Sequence, residues 1–291
     1  MVIMNKQQNT EALEELYDLT PEPGTGMSPL NDGLSKEEIE EAPFYDQLRV
    51  GVMAVSGEPG SGKGVFLHFL LWKLRTLFKD FHVLLDKKPR PLFGAYIPIT
   101  REIVTNEFNE LSSAYKTGKR KNETEEEKVD EAAPAAKSQT TKLVDKWIED
   151  KGDLFHNAGM GLDEFWSYFW NRDPHNIMCK TYSPLLKRYR HYNLLIIGAT
   201  PHLDELDVKA CLKYVTHEVR CNQTRTRGIH VASIFRHRYF NGRSVIEAAS
   251  EPITLIIDAK APRERLGGKC IYDLYNSYER GEFAPRKRHK V

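Results

Sequence analysis

Cysteine is scarce: 291 residues contain four, Cys179, Cys211, Cys221 and Cys270, with no CxxC pair and no metal-ligand spacing among them. That excludes a disulfide framework and a structural zinc site, and it leaves buried free thiols in a reducing compartment as the expectation. Long apolar runs are also missing. None approaches the ~20 residues needed to cross a bilayer, and the opening MVIMNKQQNTE has no cationic stretch followed by a long apolar core. The expectation is a soluble, cytoplasmic protein without signal peptide or membrane span. No repeat of 20–50 residues is present, which excludes a solenoid or propeller.

Net charge is nearly absent too, at +1, but its distribution is uneven. Residues 1–46 hold eleven acids and two bases, a net of −9, whereas from Arg220 to the end fifteen Lys and Arg face seven Asp and Glu, a net of +8. Like charge gathered in one half points to a polyanionic partner, with nucleic acid the first candidate. Arg225, Arg227, Arg236, Arg238 and Arg243 are the scattered bases of that half, and Arg286-Lys287-Arg288-His289-Lys290 makes a basic tail over 281–291 that adds non-specific phosphate affinity.

Residues 1–46 read as an acidic, largely extended N-terminal arm, rich in Pro and Gly, with room for a short docking helix over 11–19. A strand–helix unit is predicted over 49–78, extended segments over 82–85 and 93–99, and a helix over 101–115. Residues 117–140 have almost no large apolar groups and read as a charged, disordered insertion. Helical patterns return at 141–149 and 176–191. The run NLLIIGAT, from Asn193, then reads as a buried parallel strand. Beyond Lys213 short alternating strands are expected over 214–222, 229–239, 244–248, 253–257 and 270–275, with Asn241-Gly242 as a hairpin turn. The fold class is therefore α/β: a mainly parallel central sheet flanked by helices, strand-rich toward its C-terminal part, filling residues 47–280.

The most specific motif is Gly57-Glu58-Pro59-Gly60-Ser61-Gly62-Lys63-Gly64, placed between an apolar run over 50–55 and a helical run that starts at Val65. Backbone N–H groups of a Gly-rich turn can surround a polyphosphate, the helix N-terminus adds its positive end, and Lys63 brings charge to β- and γ-phosphates. The loop predicts ATP as ligand with Mg²⁺ as its ion. The position after the lysine, which usually offers a hydroxyl to Mg²⁺, is here Gly64. Adenylate kinases share that glycine, so a nucleotide or small-molecule kinase is one alternative reading; no Asp-Gly-aromatic-Pro-Arg segment or arginine-rich lid accompanies it.

Hydrolysis needs an acidic element to hold the ion and activate water. Asp163-Glu164, at the end of HNAGMGLDE, is the best candidate, with Asp163 toward the metal and Glu164 toward the water. Asp204-Glu205 with Asp207 is the competing cluster. Thr200 or His202, in the turn after the Ile196 strand, could sense a γ-phosphate.

The order of the loop, GLDEFWSYFWNRDPHN, LLKRYRHYNLLIIGATPHLDELD and CIYDLYNSYE resembles the FtsK/HerA superfamily of DNA-pumping ATPases, and within it viral genome-packaging ATPases and zonula occludens toxin-type phage ATPase domains. The resemblance spans residues 49–280, with the loop its one specific motif. It implies Lys63 on the phosphates, Asp163 on Mg²⁺, Glu164 as catalytic carboxylate and Thr200 as sensor. Arg188 or Arg190 would reach a neighbouring subunit's γ-phosphate. The sequence departs from the superfamily at Gly64 and at Pro201, where the sensor strand often ends in Gln. The implied activity is ATP hydrolysis by a ring of identical subunits, pentamer or hexamer, that moves double-stranded DNA. Capsid or membrane assembly proteins would dock on the N-terminal arm, in host cytoplasm or with the virion. A nucleotide-binding assembly or secretion factor is the remaining alternative.

Overall fold

The computed structural model describes residues 29–122, 139–170, 177–224, 226, 228–240, 243–246 and 252–274. The docking helix at 11–19, most of the 117–140 insertion, the Asn241-Gly242 turn and the basic tail lie outside these residues. In chain order the elements are α1 (Lys36–Asp46), β1 (Gly51–Ser56), α2 (Lys63–Leu77), β2 (His82–Leu85), β3 (Ile97–Pro98), α3 (Arg101–Asn122), α4 (Gln139–Asp150) and α5 (Gly152–Phe155). They continue with β4 (Ala158–Leu162), α6 (Phe165–Tyr168), α7 (Ile177–Arg188), β5 (Leu195–Ala199), β6 (His217–Gln223), β7 (Ile229–Phe240), β8 (Arg243–Ile246) and β9 (Ile253–Asp258).

The strands form one sheet in the order β3-β2-β4-β5-β1-β6-β7-β8, with β9 beside β7. From β3 to β6 every pairing is parallel, and β7 meets β6, β8 and β9 antiparallel. The mainly parallel sheet with a strand-rich end is the α/β class read from the sequence. Parallel strands need both faces covered, and two apolar layers do this. One joins Val52, Ile196 and Met160 to α3, α4 and α7 through Val104, Phe108, Trp147, Ile148, Tyr182 and Leu186. The other joins Met53, Ile197 and Val219 to α2 through Phe66, Leu67, Leu70 and Leu74. The apolar positions of α3 and α4 recur at helical spacing, so each helix buries one stripe. Glu107 ties the two together by accepting from Trp147 Nε1 at 2.9 Å and Lys151 Nζ at 2.7 Å.

β4 is fully buried although its sequence, AGMGL, is poor in large apolar groups. A Cβ at Gly159 would lie 2.5 Å from Leu71 Cδ2 and 2.6 Å from Phe81 Cζ, and one at Gly161 would lie 2.8 Å from Leu85 Cδ2 and 2.9 Å from Leu67 Cδ2. The glycines are what let α2 lie close against the strand.

Three local expectations are corrected. Residues 29–46 are not an extended arm throughout: α1 starts from a capping box in which Ser35 and Glu38 exchange hydrogen bonds, and it buries Ala42 and Tyr45. Helix α3 continues to Asn122, into the stretch read as a disordered insertion. Of the strand expected over 270–275, the described residues 270–274 do not form one; Ile271–Asp273 is a 3₁₀ turn in which Asp273 accepts from the N–H of Cys270 at 3.0 Å. Among the described residues no helix is long and apolar enough to cross a membrane.

Candidate functional site

All parallel strands of this sheet finish on one edge, and the chemistry-bearing residues gather there. β1 runs into the glycine-rich loop, β5 into Thr200, β4 into Asp163-Glu164, and β2 into Asp86-Lys87. Because β5 lies between β1 and β4, Thr200 stands between the loop and the acidic pair.

The loop closes with Gly62 as N-cap of α2, at φ 100°, a left-handed conformation that excludes a side chain at little cost only for glycine. Space excludes one as well. A Cβ on Gly62 would meet His230 Nδ1 at 2.3 Å. His230 comes from β7, is buried, contacts Ser61 O through Nδ1 at 3.2 Å and pairs through Nε2 with the Tyr272 hydroxyl at 2.7 Å. The strand-rich end of the sheet therefore braces the loop from behind. Lys63 donates to Gly57 O and, at 3.1 Å, to Glu58 O, and burial lowers its ammonium below the usual lysine range. Ser61 is 6% exposed and its Oγ makes no hydrogen bond. Gly64 O accepts from His68 Nδ1 at 2.9 Å on the next helical turn, and Val65 is buried in the core.

Beside the loop lies a cavity of about 610 Å³, within the usual size of small-molecule sites. Its walls are the loop from Gly57 to Ser61, the turn with Pro201, His202 and Asp204, and the β6 residues Glu218, Arg220 and Asn222. Arg220 donates through Nε to Glu218 Oε1 at 2.6 Å and lies 4.9 Å over the Phe235 ring, so its guanidinium is held at the cavity wall. Buried Cys221 has its thiol pushed up to about 12 by burial and stays neutral.

The glycine-rich loop between β1 and α2, and the strand order around it, decide the architecture. The fold is that of a P-loop NTPase. Three solved structures are similar to it. The N-terminal domain of zonular occludens toxin from Neisseria meningitidis is 14% identical, with 78% of this chain and 99% of that one covered at a TM-score of 0.41. The genome packaging NTPase B204 from Sulfolobus turreted icosahedral virus 2, in complex with AMPPCP, is 12% identical, with 70% and 98% covered at 0.39. A DnaB-like replicative helicase is 11% identical, with 89% and 65% covered at 0.38. At such identities and scores these likenesses carry no functional argument, which rests on the geometry of the site itself. No protein-family model matches the sequence, and no curated protein matches it significantly.

Lys63, Thr200, Asp163 and Glu164 thus stand on one edge of the sheet. Thr200 is fully buried, extends the β1–β5 ladder through N–H to Val55 O at 2.9 Å, and donates its hydroxyl to His202 O at 2.8 Å. In the competing acidic cluster, Asp207 accepts from the N–H of Ala210 at 2.6 Å and caps a turn, while Asp204 lines the cavity. Arg188 and Arg190 are elsewhere. Both precede β5, at the amino ends of the strands; Arg188 pairs with Asp145 of α4 at 3.0 Å and Arg190 donates to the Tyr189 hydroxyl at 2.9 Å. Arg236 is exposed on β7, and Arg225 and Arg227 lie outside the described residues.

Sequence reading missed Asp86, Lys87 and Tyr168. Asp86 is 9% exposed and accepts from the N–H of Asp163 at 3.0 Å and the Tyr168 hydroxyl at 3.1 Å. Burial, reinforced by the Asp163 charge, pushes its carboxyl up to about 6 against those hydrogen bonds and Lys87. Lys87 Nζ sits 2.5 Å from Asp163 Oδ2 and 3.7 Å from Glu164 Oε1. The signal was there: a charged pair directly follows the apolar run HVLL, as Asp163-Glu164 follows its own strand.

Proposed function

We propose that this P-loop NTPase is an ATP-hydrolysing motor that moves double-stranded DNA as a ring of identical subunits, of the genome-packaging kind. The observation that carries the reading is that β1 and β4 deliver Lys63 and Asp163-Glu164 to the same edge of the parallel sheet, with β5 and Thr200 between them, while the loop before Lys63 lines the cavity. The loop fits a polyphosphate: a Cβ at Gly57 or Gly62 would collide with its neighbours, Gly60 holds a positive φ with open space around it, and the buried Ser61 hydroxyl has hydrogen-bonding capacity unspent.

In this reading Lys63 exchanges the carbonyls of Gly57 and Glu58 for β- and γ-phosphate oxygens, while the N–H groups from Gly60 to Gly64 surround the phosphates. Glu164 orients the attacking water and takes its proton, and Thr200 reports the γ-phosphate by turning its hydroxyl from His202 O. Asp163 is the carboxylate that would hold Mg²⁺; its hard oxygen suits that ion, and Gly64 leaves the shell one protein hydroxyl short. When bound, Mg²⁺ neutralises charge on the phosphates. Arg188 or Arg190, remote from the loop of its own subunit, would serve a neighbour's site, where such an arginine is worth roughly 10³–10⁵ in rate. The positive C-terminal half, with exposed Arg236, would hold the DNA backbone through many individually weak phosphate contacts. The acidic arm over 1–46 would carry contacts to capsid or membrane assembly proteins.

Phosphate release by the wild type, Lys63→Ala and Glu164→Gln tests the reading. Wild-type turnover, loss of nucleotide binding in Lys63→Ala, and retained binding with a fall of about 10²-fold or more in Glu164→Gln support it. Transfer of phosphate to an added acceptor would make the chain a kinase, and binding with neither outcome would make it an assembly factor.

A further inference from the structure

The acidic pair already has a cation of the chain's own. Lys87 bridges Asp163 and Glu164 from the end of the neighbouring strand, at 2.5 and 3.7 Å, and the side chains of Lys87, Asp163 and Glu164 are 37%, 37% and 29% exposed, so the contact is partly open to solvent. Its position is fixed by the backbone. The N–H of Asp86 reaches Gly161 O at 3.2 Å as the last rung between β2 and β4, and Asp86 in turn holds the N–H of Asp163. Lys87 therefore emerges directly beside Asp163, with no freedom of register to avoid it. The same carboxylate is the one that the proposed function assigns to Mg²⁺, in a site where position 64 supplies no hydroxyl. One carboxylate, that of Asp163, would thus be shared between the Lys87 ammonium and a divalent ion.

We propose that Lys87 is a competing cation that sets the metal affinity of the nucleotide site. Metal binds by displacing the ammonium from Asp163, and the chain holds its acidic pair in a half-neutralised, ordered state until metal and nucleotide arrive together. This inference rests on the proposed function, because it takes Asp163 as the metal ligand.

The test is Mn²⁺ titration followed by electron paramagnetic resonance in the presence of ATPγS, with nucleotide affinity in EDTA measured separately by fluorescence of a labelled ATP. Lys87→Met should bind Mn²⁺ about five-fold more tightly than wild type, the size expected when a half-exposed ion pair no longer competes. Its metal-free nucleotide affinity should stay within about two-fold. Lys87→Gln should behave as Lys87→Met does, and Lys87→Arg should bind Mn²⁺ no more tightly than wild type. In an Asp163→Asn background the gain from Lys87→Met should vanish. Unchanged or weaker Mn²⁺ binding by both neutral variants, with wild type binding normally, overturns this inference alone. Failure of the wild type to bind Mn²⁺ with ATPγS overturns the functional reading and this inference with it.

Discussion

Replacing Asp86 by Asn probes how the acidic pair is held. The carboxyl of Asp86 is raised from 3.8 to about 6, chiefly by burial, which corresponds to on the order of 3 kcal/mol. The folded chain holds this proton more tightly than the unfolded chain does. The stability it contributes is therefore present below about pH 4 and is lost as pH rises through about 6. An amide has no proton to lose and still offers an oxygen to the N–H of Asp163. Relative to wild type, Asp86→Asn should therefore gain on the order of 3 kcal/mol between pH 4 and pH 7. Asp86→Ala leaves the N–H of Asp163 and the Tyr168 hydroxyl without their acceptor, and should lose about 2 kcal/mol at pH 4. Urea unfolding at half-unit pH steps measures both. His217 titrates in the same range with the opposite slope, since burial, with Arg236 and His237, pulls its imidazole down to about 4. The difference between variant and wild type cancels it. A difference curve that is flat from pH 4 to pH 7 would refute the reasoning.

Three further outcomes follow from the contacts. Gly159→Ala forces a Cβ to within 2.5 Å of Leu71 and should cost about 1–3 kcal/mol, read as a lowered melting temperature. Tyr272→Phe removes the 2.7 Å hydrogen bond to His230 behind the loop; it should cost about 1 kcal/mol of stability and weaken nucleotide binding measured by calorimetry. Arg188→Ala breaks a half-exposed pair with Asp145 and should change stability by less than about 1 kcal/mol. One of Arg188→Ala and Arg190→Ala should nonetheless slow turnover of the assembled protein by about 10³-fold, and mixing it with Glu164→Gln subunits should restore part of the activity at shared interfaces.

Much of this was legible because it is local. The glycine loop carries its own conformational demand, and the run NLLIIGAT is apolar enough to be a buried parallel strand without help. What escaped depends on partners far along the chain. AGMGL is a central strand only because α2 presses on its glycines, so its weak apolar signal is a consequence of close packing. Helix α1 has few apolar residues, and it is held by its capping box, by buried Tyr45 and by Glu41 pairing with Lys73 at 2.7 Å. Asp86-Lys87 is visible as a charged pair after HVLL, but its place beside Asp163 comes from the β2–β4 register, which pairs segments far apart in the sequence. The segment from Cys270 is rich in residues that favour strands, but Asp273 folds Ile271–Asp273 into a turn, and that turn carries the tyrosine which braces the loop.

The central claim is a motor, and DNA-stimulated turnover tests it most directly. The rate of phosphate release should be measured for the wild type with and without duplex DNA, at low and at physiological salt, beside Glu164→Gln. The account predicts a rate that rises with DNA, a stimulation that weakens as salt screens the phosphate contacts, and no turnover in Glu164→Gln under any condition. A wild type that hydrolyses ATP at one rate whatever DNA is added would contradict it.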